Sequence, residues 1–476
     1  MAIRVLIVED DEDFVEELKL VLGTLDGPPE VTVARGRNTA LDHIEKEFFD
    51  LLVLDLKIPT ADSALDANPA HGRLVFNNAL KLAPGMPIFV LTGSPAEDFI
   101  PELLEGARQI DIWGEGCEVR TVNFLTKSKF AESKDKLSPF AAAVARLSEV
   151  EFERGDTDLG IEDDRLVRIF ARRVGGVRCI GSLIGGGLSS AKVVRLKVTG
   201  TTGARIHDAV VKLAPIHDTR DETKRFDSHI SRLDPAATPR KLQTLEFGAK
   251  ARAAIFYGLA DGFEFDAFDI CTRAGNLPAT LVKNVKEATR NWWDTLGETP
   301  KTIREIRRRL ISDDDLRQAT APHSILWIND FESKQIQTRW CSVHGDLHGG
   351  NVLSTKKGDC VLIDYGDVGD GPACLDAITL ELSTLFHPKH PLRGTGWPTA
   401  EQSNNWADLH KYLGGCPAVN FITACREWAL SVAAGRREVA AGAYAYLVRQ
   451  LKYADTDKDL ALALLNALHI WFMSTT

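Results

Sequence analysis

Residues 343–353, "VHGDLHGGNVL", set two histidines, an aspartate, three glycines and an asparagine between apolar flanks. Polar groups packed so densely among apolar neighbours need polar partners. A little further on, the apolar run of "CVLIDYGD" ends on Asp364. An aspartate, an amide and a second aspartate in this order supply one proton acceptor and two oxygen donors for a hard cation. A second acidic set, Glu9, Asp10 and Asp55, is spread along the first third of the chain with Lys127 as its cation. Three carboxylates converging on one lysine repel one another unless a divalent cation joins them, and Mg²⁺ suits oxygen ligands. One carboxylate beside Mg²⁺ can then act as a nucleophile toward phosphorus.

The elements that must position the second set follow a βα rhythm. "IRVLIVEDD", "VTVARG", "FDLLVLDLKIP", "PIFVLTGS" and "TVNFLTKSK" read as strands, separated by helical patterns such as "DEDFVEELKLVLGTL" and "NTALDHIEKEFF". Apolar strands alternating with helices predict a parallel, doubly wound sheet. Ligands of such sheets bind at the carboxyl ends of the strands. Those ends hold Glu9 and Asp10, Asp55, Thr92 and Lys127. This spread resembles the response-regulator receiver domain. The resemblance implies that Asp55 is the phosphoacceptor and that Glu9, Asp10 and Asp55 hold Mg²⁺. Thr92 and Lys127 would contact the phosphoryl group, and Phe124 would be the switching aromatic. It also implies a cognate histidine kinase or phosphotransfer protein as donor, and a homodimer through the receiver domain. Two long loops, 60–72 and 107–120, and Ser128 in place of the family's usual proline depart from the pattern.

A glycine loop opens the second part. "CIGSLIGGGLSSAKVVRLKV" runs strand, glycines, strand. Gly185, Gly186 and Gly187, with Ser189, can bring backbone N–H groups close to a phosphate. Lys212 lies within the alternating strand "DAVVKLAP" and needs an anionic partner, for which Glu222 is the nearest helical acid, with Asp221 and Glu246 as alternatives. Glycine loop, strand lysine and helix glutamate follow the order of a kinase N-lobe. His344-Gly-Asp346 followed by Asn351 matches the kinase catalytic loop. "HGDLHGGNVL" with "LIDYGD" resembles the aminoglycoside-phosphotransferase and choline-kinase branch of kinase-like folds, with His348 where protein kinases keep a lysine. The resemblance implies ATP and Mg²⁺ as cofactors. Asp346 would orient the acceptor hydroxyl and take its proton. Asn351 and Asp364 would hold Mg²⁺, Lys212 would bind phosphates, and His344 and Asp376 would brace the loop.

The predicted architecture is an α/β doubly wound receiver domain with a five-stranded parallel sheet over residues 1–152. An acidic linker over 153–163 leads to an α+β bilobal kinase-like domain, its N-lobe at 164–262 and its C-lobe at 263–476. The function this implies is a two-component regulator with an ATP-dependent phosphotransferase output acting on a hydroxyl of a metabolite or a protein. A nucleotide-binding pseudokinase read by a partner and a nucleotidyl transferase use the same residues.

Composition narrows the classes further. Residues 1–150 carry 15 Lys and Arg against 26 Asp and Glu, which disfavours nucleic acid there. The basic run "KTIREIRRRL" reads as a solvated helix face. "ALALLNALHIWFM" is too short and too interrupted to span a membrane and reads as a buried helix. The eight cysteines have no CxxC spacing and read as reduced thiols. "MAIRVLIVEDD" enters a strand with no basic leader, so the chain is expected in the cytoplasm without a membrane or nucleic-acid partner.

Overall fold

The computed structural model describes residues 1–27, 29–93, 107–185, 191–294, 297–389 and 391–475. These divide into two compact units. The first joins Met1–Arg220 with Lys241–Leu259, and the second joins Asp221–Arg240 with Ala260–Thr476.

The first unit begins with β1 (Arg4–Val8), β2 (Glu30–Ala34), β3 (Leu51–Leu54), β4 (Ile88–Thr92) and β5 (Val122–Thr126). All neighbours pair in parallel, in the order β2-β1-β3-β4-β5. This is the doubly wound order with its switch point between β1 and β3, the arrangement of the receiver fold. Strands β3 and β4 are buried along their whole length because helices cover both faces.

A six-stranded sheet follows in the same unit. Its strands are β6 (Glu151–Glu153), β7 (Arg178–Gly185), β8 (Lys192–Thr199), β9 (Arg205–Pro215), β10 (Arg240–Leu245) and β11 (Arg252–Gly258), in the order β10-β11-β9-β8-β7-β6. Residues 151 and 152, predicted to end the receiver domain, and residue 153, predicted to open the linker, form a parallel edge strand of this second sheet. The predicted acidic linker also differs. Helix Ile161–Arg173 starts inside it, and Asp163 and Asp164 are buried. Asp163 accepts from Arg252, and Asp164 from Arg154 and Arg168. The acids that looked like solvated linker charge are ion-pair partners at a helix start, where the helix dipole also favours them.

The two sheets share one hydrophobic core. Ile3 and, on β1, Val5 and Ile7 belong to the same buried cluster as Phe170 of helix Ile161–Arg173 and Phe256 of β11. Loop 107–120 supplies part of that core. Trp113 packs edge-on against Phe140 of helix Ser133–Arg146, with ring centroids 5.4 Å apart. Glu115 bonds both Arg146 and Arg172, and Arg173 donates to the carbonyl of Asp111. Arg165 and Asp50 form an ion pair at 3.0 Å with 1% and 0% of their side chains exposed. Gly85 exchanges backbone hydrogen bonds with Lys250 and Gly248, each 2.8 Å. A side chain at 85 would meet the Lys250 carbonyl at 2.7 Å, so this seam requires glycine. The helix Ser133–Arg146 face of the receiver-like domain is thereby covered within the chain.

The second unit is α+β. Strands Gln335–Val343 and Cys360–Leu362 lead into the polar loops, beneath helices Leu375–Phe386, Val419–Val432, Arg436–Gln450 and Lys458–Ser474. Leu375–Phe386 is buried throughout, with Glu381 paired to Arg426. The basic run is not a solvated helix face. It forms strand Glu298–Thr302 and the short helix Ile303–Arg307, and Arg307, 1% exposed on its side chain, binds Glu332 at 2.7 Å. Among the described residues no helix is long and apolar enough to cross a membrane, and all eight cysteines are free thiols.

Candidate functional site

Asp55 follows β3 and Glu9 and Asp10 follow β1, so parallel neighbours bring three carboxylates to one end of the sheet. Their oxygens lie within 4.8 Å of one another, close enough to share one cation. Lys127, just after β5, puts Nζ 2.6 Å from Glu9 Oε2 and 2.8 Å from Asp55 Oδ2. The same ammonium lies 4.4 Å from the centre of the Phe14 ring. Burial and then the Asp55 charge push the Glu9 carboxyl up to about 7, with Lys127 only partly offsetting them. Burial raises Asp10 as well. A lone lysine does not neutralise this set, and an all-oxygen cradle with excess negative charge fits Mg²⁺. Thr92 ends β4 fully buried, and Phe124 is half-buried on β5 beside it. Ser128 bonds Thr126 through the two hydroxyls at 3.0 Å, which sets the turn where proline was expected.

Lys212 is half-buried on β9, flanked by β8 and β11, opposite Val193 and Ile255. Gly185 ends β7, while Gly186, Gly187 and Ser189 lie outside the described residues. Glu246 is occupied by Arg220, at 2.7 Å.

In the second unit Glu222 is buried and Asp221 is exposed on helix Ile216–His229. The loop after strand Gln335–Val343 is held from three sides. Asp376, buried at the start of its helix, accepts from the amides of His344 (2.7 Å) and Gly345 (3.0 Å). His344, fully buried, pairs Nε2 with the Ile363 carbonyl at 3.0 Å. Asn351 donates from Nδ2 to the Asp346 carbonyl at 2.9 Å and accepts from the Ile363 amide through its own carbonyl. Gly345 is left-handed at φ 81°, and a side chain there would strike the Asp367 carbonyl at 2.5 Å. Asp364, two residues past its strand, is also left-handed at φ 64°. A non-glycine residue in that region stores strain of about 1–3 kcal/mol, a cost met mostly at functional sites.

Asp346 Oδ1 accepts from Arg449 Nη1 at 2.9 Å, and Oδ2 lies 3.9 Å from His348 Nε2. Burial alone would raise the Asp346 carboxyl, but Arg449, His348 and His344 together hold it below the usual range. Burial keeps the His348 imidazole below its ordinary value despite Asp346 and Asp364 nearby. Asn351 and Asp364 offer oxygen donors of the kind Mg²⁺ takes. Arg449, on helix Arg436–Gln450, escaped the sequence reading. Its signal was there: an arginine inside the apolar "AYAYLVRQL" needs an anion by the same logic that marked Lys212.

The phosphotransferase enzyme family model matches residues 181–412. No curated protein matches the chain. A CheY-like receiver domain protein from Methanospirillum hungatei is similar in structure at 27% identity, over 29% of this chain and 96% of its own, with TM-score 0.20. A phosphorylated cyanobacterial phytochrome response regulator matches at 20% identity over 30% and 97%, with TM-score 0.23. An aminoglycoside-3'-phosphotransferase of type VIII matches at 19% identity over 56% and 100%, with TM-score 0.32.

Proposed function

We infer from the sheet order of the first 130 residues and the family match at 181–412 that this chain carries a receiver-like domain followed by a phosphotransferase-like domain. We propose that it is a two-component response regulator whose output is an ATP-dependent phosphotransferase. In this reading a histidine kinase or phosphotransfer protein phosphorylates Asp55, and Glu9, Asp10 and Asp55 hold the Mg²⁺ that reaction needs. Thr92 and Lys127 then bind the phosphoryl oxygens. A homodimer through the receiver domain would have to avoid the helix Ser133–Arg146 face that the shared core occupies.

The observation that carries the output reading is the braced loop, in which Asp376 and His344 fix the backbone that presents Asp346 and Asn351. The acceptor hydroxyl donates to Asp346, and its oxygen forms a bond to the γ-phosphorus. The bond from that phosphorus to the bridging oxygen breaks, ADP leaves with the electron pair, and the proton passes to Asp346. Lys212 and the glycine loop, Gly185 to Ser189, bind phosphate oxygens, and Asn351 and Asp364 hold Mg²⁺. Bound Mg²⁺ supplies charge neutralisation across the phosphates. Asp346 has a modest task in a loose transition state, so a carboxylate held below its usual range suffices to orient the hydroxyl.

The test incubates purified protein with γ- and α-labelled ATP and a panel of hydroxyl compounds. Transfer of γ label that disappears in Asp346→Ala, with nucleotide binding retained, is the expected result. Transfer of α label would make the protein a nucleotidyl transferase. Nucleotide binding without transfer of either label would make it a regulatory module.

A further inference from the structure

Asp346 has two carboxylate oxygens with different surroundings. Oδ1 is taken by Arg449 at 2.9 Å, while Oδ2 lies 3.9 Å from His348 Nε2. An acceptor hydroxyl bound to Asp346 therefore meets Oδ2. It then lies one carboxylate's width from a guanidinium.

That guanidinium is held as a fixture. Nε donates to the Tyr453 hydroxyl at 3.1 Å. Tyr453 sits in the turn after helix Arg436–Gln450, and Lys458 binds the carbonyls of Gln450 (3.2 Å) and Leu451 (2.9 Å) in that turn. The side chain of Arg449 is 20% exposed, and its Nη2 has no hydrogen-bond partner among the described residues. A planar fork with one nitrogen on the base and one unoccupied suits a second oxyanion.

We propose that Arg449 positions Asp346 and selects the acceptor, which carries a carboxylate or phosphate group close to the hydroxyl that is phosphorylated. This inference rests on the phosphotransferase reading above. A cationic acceptor, such as an amino sugar or a quaternary ammonium alcohol, places like charge against a fixed guanidinium. Such a juxtaposition rejects it. Arg449 thus performs two tasks with one group: it fixes which oxygen of the base faces the substrate, and it reads the substrate's charge.

The test measures γ-phosphoryl transfer to four hydroxyl acceptors: a hydroxy acid, a sugar phosphate, a neutral polyol and an amino alcohol. Wild type is compared with Arg449→Ala, Arg449→Lys and the milder Tyr453→Phe, each checked for an unchanged melting temperature. Wild type is expected to use the hydroxy acid or the sugar phosphate, and the two arms tell which oxyanion it reads. Arg449→Ala is expected to lose about a hundredfold in kcat/KM for that acceptor, mostly through KM. The KM for ATP stays unchanged, and Arg449→Lys recovers part of the loss by restoring the charge without the fork. A wild type that prefers the amino alcohol overturns the proposal, as does an Arg449→Ala loss that is equal for all four acceptors. Higher turnover in Arg449→Ala also overturns it, because the arginine then blocks the base. If no acceptor is phosphorylated, the phosphotransferase reading fails and the same compounds are tested as ligands by thermal shift. Stabilisation by the anionic pair that Arg449→Ala abolishes still supports the charge selection, and its absence overturns it.

Discussion

Asp55 shares one lysine with Glu9, whereas Asp346 has an arginine to itself. Around Asp55 three carboxylates crowd a single cation, and burial, with the Asp55 charge added, lifts Glu9 to about 7. Around Asp346 a guanidinium and two imidazoles outweigh burial and hold one carboxylate below its ordinary range. The first site carries surplus negative charge that a divalent ion relieves. The second is balanced by the protein's own side chains, which hold Asp346 in its ionised form. A carboxylate proposed to attack phosphorus and one proposed to steer a hydroxyl are thus set up differently.

Removing the balanced carboxylate should have the largest consequence. Asp346→Asn keeps the shape and the bond to Asn351, which uses the main-chain carbonyl of residue 346, but it removes the proton acceptor. Turnover is expected to fall by about 10²–10⁴ with ATP affinity held. An equal loss of ATP binding in a calorimetric titration would make Asp346 structural and end the comparison.

The receiver-like sheet and the β6–β11 sheet meet in one shared core. Arg165 and Asp50 are sealed in that core, and removing one partner of a buried pair costs about 3–5 kcal/mol. Arg165→Met should lower stability by that amount in a denaturant melt. It should unfold the β1–β5 sheet and the β6–β11 sheet together if they are one cooperative unit. Two separate transitions, with only one shifted, would show that the seam is not shared.

The βα rhythm and the strand-end acids made the first sheet legible in the sequence, since parallel buried strands announce themselves as apolar runs. The polar loop at 344–351 stood out because its spacing is local. Contacts set by distant partners were not. Asp163 looked like linker charge because its partner Arg252 lies far along the chain. The arginines at 307 and 449 looked solvated or went unnoticed because Glu332 and Asp346 meet them only in the fold. Loop 107–120 stood out in the sequence only as a departure from the receiver pattern, and its Ile112 and Trp113 turned out to be core. Periodicity reports burial along one element, and it is silent about which element comes to lie opposite.

Phosphorylating Asp55 inverts part of the contrast, because it adds about 1.5–2 negative charges to the site already in surplus. Thr92 and Phe124 lie on β4 and β5, and helix Ser133–Arg146 after them packs into the shared core. Packed cores switch between discrete arrangements and do not deform smoothly. Coupling between sites is typically about 1–3 kcal/mol. Treatment with beryllofluoride is therefore expected to change γ-phosphoryl turnover about fivefold or more, with Asp55→Asn unresponsive. Identical turnover with and without the mimic would mean that the receiver-like domain signals to a separate protein.

The smallest effect is the sharpest test of the charge contrast. Glu9 has a raised carboxyl, so between its ordinary value and about 7 the folded state binds a proton that the unfolded chain has lost. That contribution favours folding at low pH and fades as pH rises through about 7, where ionised Glu9, Asp10 and Asp55 repel one another. Mg²⁺ needs the ionised form and must displace the proton, so below about 7 its affinity should weaken by up to about tenfold per pH unit. The melting temperature gained on adding Mg²⁺ should grow from pH 5.5 to pH 8 and then level off. Glu9→Gln should flatten this profile, because no proton is left to displace there. Acceptor turnover at saturating Mg²⁺, which depends on the balanced Asp346, should show no matching step near 7. A Mg²⁺ response that is flat across this range in the wild type would mean that Lys127 already neutralises the acidic set, and the two sites would then differ in name only.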